Sequence, residues 1–163
     1  MRTAIVYYSM SGNTELAAKR AADAIGAELI RIQPVKAFPD KGFKKFLWGG
    51  KSAVMKETPE LIPYLFNADE FDRVVISTPV WASNMTPPIR SFITDNLAAL
   101  KEKRVAALVC CSGGGAEKAI ERIRELIGIS SLEAYAVLID PKDKPSEQNE
   151  KALREFIDKL ARE

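Results

Sequence analysis

Five short β-rich runs, separated by longer stretches that mostly carry a helical repeat, leave few folds open to this chain. They are Thr3-Ala-Ile-Val-Tyr-Tyr8, Ala27-Glu-Leu-Ile-Arg-Ile32, Arg73-Val-Val-Ile-Ser-Thr78, Arg104-Val-Ala-Ala-Leu-Val-Cys110 and Leu132-Glu-Ala-Tyr-Ala-Val-Leu-Ile139. The run from Arg73 to Thr78 is a continuous apolar stretch, the pattern of a strand buried on both faces of a parallel sheet. The second run alternates and is ended by Pro34. Helical patterns follow at Glu15–Ile25, from Pro87 to about Leu97, at Ala116–Ile127 with Gly128 as its stop, and from Ser146-Glu-Gln-Asn-Glu towards the C-terminus. Thr86 is placed to cap the second of these, with Pro87 at its first position. Strands alternating with helices predict an α/β fold: a doubly wound, five-stranded parallel sheet in a three-layer α/β/α arrangement with right-handed crossovers. At 163 residues the chain reads as one domain, 1–163, long enough for a packed core.

Three of the loops that follow strands are uncharged. After the first strand come Ser9, Met10, Ser11, Gly12, Asn13 and Thr14, then the helix. The free amides of a first helical turn and the positive end of the helix dipole favour an anion there, and short side chains let a phosphate approach the backbone. Ser9, Ser11, Asn13 and Thr14 offer further donors. No lysine or arginine lies between Tyr7 and Ala18. The lysine-bearing phosphate loop of nucleotide triphosphatases and the three-glycine dinucleotide fingerprint are therefore both absent. A polar turn with ordinary helix caps is the simpler reading of the same residues. The third strand leads into Pro79-Val-Trp-Ala-Ser-Asn-Met85, and the fourth into Cys111, Ser112, Gly113, Gly114 and Gly115.

Composition removes several chemistries. There is no histidine, so imidazole acid–base catalysis is excluded, and no Cys or carboxylate spacing resembles a metal site. Cys110 and Cys111 are adjacent, and neighbours in a strand point to opposite faces, which disfavours a disulfide between them. Both read as small buried hydrophobes, with Cys111 the one expected to face a crevice. Lys plus Arg numbers 24 against 22 for Asp plus Glu, a formal +2 that makes no case for nucleic acid. No apolar run approaches the roughly 20 residues of a membrane span, and Met1-Arg2 leads straight into a strand, so a cytoplasmic, membrane-free protein is expected. The segment Val35–Pro63 carries six lysines against three carboxylates, leaving a net −1 on the remainder. Phe43, Phe46, Leu47, Val54 and Met55 recur there at helical spacing, which predicts an amphipathic helix packed on the sheet, with Trp48 unplaced.

The stretches Tyr8-Ser-Met-Ser-Gly-Asn-Thr14, Thr78-Pro-Val-Trp-Ala-Ser-Asn-Met-Thr-Pro-Pro88 and Cys110-Cys-Ser-Gly-Gly-Gly115, in this order on these elements, resemble the flavodoxin family over nearly the whole chain. Phe46-Leu-Trp-Gly-Gly-Lys51 is similar to a segment of the family's short flavodoxin-like members. The resemblance implies strand order 2-1-3-4-5 and a ligand at the switch point between the first and third strands. It also implies FMN as cofactor, held at its phosphate by amides and hydroxyls alone. By resemblance, Ser9, Ser11, Gly12, Asn13 and Thr14 surround the phosphate, and Met10 of the same loop is among the cofactor-binding residues. Pro79, Val80, Trp81, Ala82, Ser83 and Asn84 border the ring, and Cys111, Ser112, Gly113 and Gly114 lie on its far side. For Trp81 the competing role is core packing beneath the helix that starts at Pro87. The chain departs from long-studied flavodoxins in lacking their acidic surface and in having glycines where many stack a tyrosine, which leaves one ring face open.

The function implied is electron transfer by an FMN-binding, flavodoxin-like protein whose partner is a redox protein. The alternative is an FMN-dependent NAD(P)H:quinone-type oxidoreductase acting on a small quinone-like acceptor, and a third reading is a non-enzymatic flavodoxin-fold binding domain. A crevice free of His, Asp and Glu is expected, because the flavin needs no side chain as acid or base.

Overall fold

In the computed structural model, residues 1–39, 51 and 56–162 are described. Among them the strands are β1 Thr3–Tyr7, β2 Glu28–Arg31, β3 Arg73–Pro79, β4 Arg104–Cys111 and β5 Tyr135–Ile139. The helices are α1 Asn13–Ile25, α2 Pro87–Asp95, α3 Leu97–Lys101, α4 Ala116–Ile127 and α5 Glu147–Ala161, with a 3-10 turn at Ala68–Glu70 before β3. All neighbouring strands are parallel, in the order β2-β1-β3-β4-β5 expected from the resemblance.

The centre of the sheet is buried on both sides because β1, β3 and β4 are buried at successive positions, and the two-residue alternation sends neighbours to opposite cores. Val6, Val74, Ile76, Val105, Ala107 and Val109 face one core with Ile89, Phe92 and Ile93 of α2 and Ile120, Ile123 and Ile127 of α4. Ile5, Val75, Ala106 and Leu108 face the other, with Leu153, Phe156 and Leu160 of α5. On that side the buried residues of α1 are alanines, Ala17, Ala18, Ala21 and Ala22, which bring its backbone close to β1, with Ile25 partly buried at its end. A helix so close to the strand it follows holds its N-terminus directly beyond the strand's carboxyl end.

Local signals set most boundaries. Gly26 adopts a left-handed conformation (φ 66°) and donates its N–H to Ala22 O, closing α1. The Ser146 hydroxyl accepts from Asn149 N at 3.1 Å and opens α5. Two expectations are corrected. Thr86 occupies the N-cap of α2 without capping it by side chain, because its hydroxyl is engaged at 3.1 Å with that of Thr78. The helix expected to reach Leu97 ends at Asp95, where the Asn96 amide donates to Phe92 O at 2.8 Å and offsets the short α3 from α2. The helix expected around Phe43, Phe46, Leu47, Val54 and Met55, and Trp48 with it, lies outside the described residues. No helix among the described residues is long and apolar enough to cross a membrane.

Candidate functional site

The loops after β1, β3, β4 and β5 converge on a cleft of about 300 Å³, at the lower end of the range for small-molecule sites. It lies where the strand order reverses, between β1 and β3.

In the first loop the polar side chains divide their work. Gly12 turns the chain with φ 95° and donates its N–H to Ser9 Oγ at 3.1 Å, so Ser9 holds the loop rather than the cleft. The Asn13 amide donates to Asp143 Oδ2 at 2.8 Å and to Ser11 Oγ at 3.2 Å, and its oxygen accepts from Lys142 N at 2.8 Å. Thr14 is different: its side chain is 1% exposed, it lines the cleft, and its hydroxyl has no hydrogen-bond partner. A buried polar group left unsatisfied costs about 1–3 kcal/mol, so a hydroxyl kept in that state marks a place for a ligand.

The β3 loop closes in a two-residue turn in which Trp81 and Asn84 exchange both backbone hydrogen bonds, at 2.9 and 3.0 Å. The central residues, Ala82 and Ser83, both have positive φ, 49° and 58°, without being glycine. Such strain, on the order of 1 kcal/mol per residue, persists where the surroundings enforce it, often beside a functional site. Two arginines enforce it here. Arg122 donates to Ser83 O at 2.9 Å, and the buried Arg90 donates to Asn84 Oδ1 at 2.9 Å. Burial, and secondarily the charge of Arg122, lowers the Arg90 pKa. Trp81 stands half-buried in the cleft wall, its ring edge-on to Tyr8 (5.9 Å) and Phe38 (5.3 Å), and it also packs against the core that α2 covers.

In the β4 loop Cys110 and Cys111 both line the cleft and belong to opposite cores, as their alternation requires. Burial pushes the Cys110 thiol up to about 12. A side-chain interaction of the thiol with the Thr14 hydroxyl opposes part of that rise. Cys111 is also raised by burial, and its thiol donates to Gly113 O at 3.2 Å. Neither is a thiolate near neutral pH. A Cβ on Gly115 would lie 2.5 Å from Ser83 Oγ, so only glycine lets the β4 loop touch the strained turn. Gly113 and Gly114 face open space instead.

The β5 loop was not anticipated as part of the site. Asp140 lines the cleft, receiving Ser112 Oγ at 2.6 Å and Lys144 Nζ at 3.0 Å. The expectation of a crevice without carboxylates is therefore wrong. The chain brings this loop over because α5 packs beside α1, with Arg20 gripping Glu150 through two bonds of 2.7 and 2.6 Å. The charged run Asp140-Pro-Lys-Asp-Lys144 was the available signal.

Of the residues expected at the site, Met10, Ser11, Asn13, Thr14, Pro79, Val80, Trp81, Ala82, Cys111, Ser112, Gly113 and Gly114 line the cleft. Ser9, Gly12, Ser83 and Asn84 do not; they shape the loops that carry the lining. Cys110 and Asp140 are added.

A doubly wound sheet with a cleft at its switch point belongs to the class of α/β proteins that bind ligands beyond the carboxyl ends of their strands. The sequence model of the family described as Flavodoxin matches residues 2–157, and this chain belongs to that family. Solved structures agree on the fold. The flavoprotein of Lactobacillus acidophilus NCFM in complex with FMN is 21% identical at a TM-score of 0.71, covering 87% of this chain and 95% of its own. A Bacteroides eggerthii flavoprotein is 19% identical at 0.77, with 99% of both chains covered. Two-electron reduced Megasphaera elsdenii flavodoxin is 18% identical at 0.63, again over 99% of each. None of the curated protein sequences matches this chain.

Proposed function

We propose that this protein is an electron-transfer flavoprotein that passes electrons between redox partners in the cytoplasm. FMN is the cofactor that membership of the flavodoxin family assigns to the cleft. The residues fit a phosphorylated flavin on the observation that carries this reading, the unpartnered Thr14 hydroxyl at the first turn of α1. Thr14 and the α1 N-terminal amides would hold the phosphate, with the Ser11 hydroxyl at the mouth. Trp81 would flank the ring, and Asp140 with Ser112 would meet the hydroxylated chain between ring and phosphate. The flavin supplies the redox chemistry, accepting electrons singly or in pairs. The chain's part is to bind, orient and limit access.

Two unpaired thiols and no membrane-crossing helix among the described residues support a reducing, aqueous compartment. The second reading, an FMN-dependent NAD(P)H:quinone-type reductase, draws on Gly113 and Gly114, whose open surroundings leave room for a small acceptor beside the ring. The experiment is a reductive titration of the flavin-loaded protein, followed by assay with NAD(P)H and a quinone. The expected result is two resolved one-electron couples and no sustained turnover. Repeated turnover with a single two-electron couple would overturn the carrier reading in favour of the reductase.

A further inference from the structure

A phosphate monoester carries about −1.5 to −2 charges at neutral pH, yet the loop that receives it here has no cation of its own. The first positive residue beyond the loop, Lys19, is held by Glu15 at 2.6 Å. The fold brings in another from 131 residues away. Lys142 Nζ lies 3.0 Å from the Ser11 carbonyl oxygen, at the N-terminus of α1. Its stem runs over Gly12 so closely that a Cβ there would fall 3.2 Å from Cδ and 3.0 Å from Nζ. Its backbone is pinned as well, because Lys142 N donates to Asn13 Oδ1 at 2.8 Å while the same amide holds the Asp143 carboxylate at 2.8 Å. Among the described residues no carboxylate pairs with this ammonium. Only one of its three donors has an acceptor, the Ser11 carbonyl. At the same helical turn the buried Thr14 hydroxyl waits without a partner on the cleft side.

We propose that Lys142 is the cation of the phosphate subsite and makes the cleft select flavins that end in a phosphate. The inference rests on the reading of the cleft as an FMN site. It gives the β5–α5 loop a function: Asn13 and Asp143 anchor the loop so that the lysine stays over the helix N-terminus, where its charge adds to the helix dipole. The ammonium lies at the rim rather than in the cleft, so its action is Coulombic and sensitive to salt.

The test compares dissociation constants for FMN and riboflavin in the parent, Lys142→Gln and Lys142→Arg, each at low and high ionic strength. Circular dichroism and urea midpoints confirm that the variants fold. Lys142→Gln is expected to weaken FMN about tenfold at low salt, to leave riboflavin unchanged and to flatten the salt dependence of FMN binding. Lys142→Arg is expected to retain most of the affinity. An equal effect of Lys142→Gln on both flavins, or none on either, would overturn the assignment. A parent that binds riboflavin as tightly as FMN would instead overturn the FMN reading, and this inference with it.

Discussion

Thr14→Val is expected to move two quantities in opposite directions. The apoprotein should gain about 1 kcal/mol of stability, because an isosteric methyl replaces a hydroxyl that is buried without a partner. FMN binding should weaken by about 1.5–3 kcal/mol, the value of a hydrogen bond to a charged group. Urea unfolding of the apoprotein and fluorescence titration with FMN measure the two effects. A hydroxyl with a purely structural role predicts a different pattern: lost stability and unchanged affinity. Affinity unchanged in Thr14→Val would remove this residue from the phosphate site.

Arg73→Met is expected to cost about 3–5 kcal/mol in stability while leaving the cleft intact in the protein that still folds. Arg73 opens β3 at the end of the sheet opposite the cleft, and its guanidinium is 2% exposed. Nε and Nη2 grip both oxygens of Glu133, and Nη1 donates to Leu160 O at 3.0 Å near the end of α5. One side chain therefore ties β3 to the β5 approach and to the last helix. Removing it strands a largely buried carboxylate, for which Arg104 at 3.2 Å is an incomplete substitute. Urea midpoints should fall steeply, whereas the FMN dissociation constant at low urea should stay within about twofold of the parent, since separated sites act independently. A large change in affinity with little change in stability would contradict the assignment of Arg73 to the scaffold.

The fold was legible because its central strands are apolar on both faces and several helices carry their own start or stop residues, Gly26, Gly128 and Ser146 among them. The strand order came from the loops, whose resemblance to flavodoxin loops fixed which strand neighbours which. At the site, Thr14 and Trp81 line the cleft because the scaffold carries them there: Thr14 sits in the first turn of the helix after β1, and Trp81 lies just beyond the end of β3. Ser9 and Asn84 do not line the cleft. A short polar side chain in a tight loop is claimed first by the loop's own groups, here Gly12 N and Met85 N, before any ligand. The turn at Ala82 and Ser83 was hidden because it lacks the Asn-Gly or Asp-Gly signature of such turns and is held instead by arginines from other elements. Asp140 and Lys142 were missed because their place depends on how α5 packs beside α1, a contact that no local pattern encodes.

Whether the cleft takes FMN by its phosphate is decided by titrating the purified, flavin-free chain with FMN and with riboflavin and following flavin fluorescence. Saturation is expected at one FMN per chain, with riboflavin bound much more weakly. Failure to bind FMN, or equal affinity for the two flavins, would contradict it.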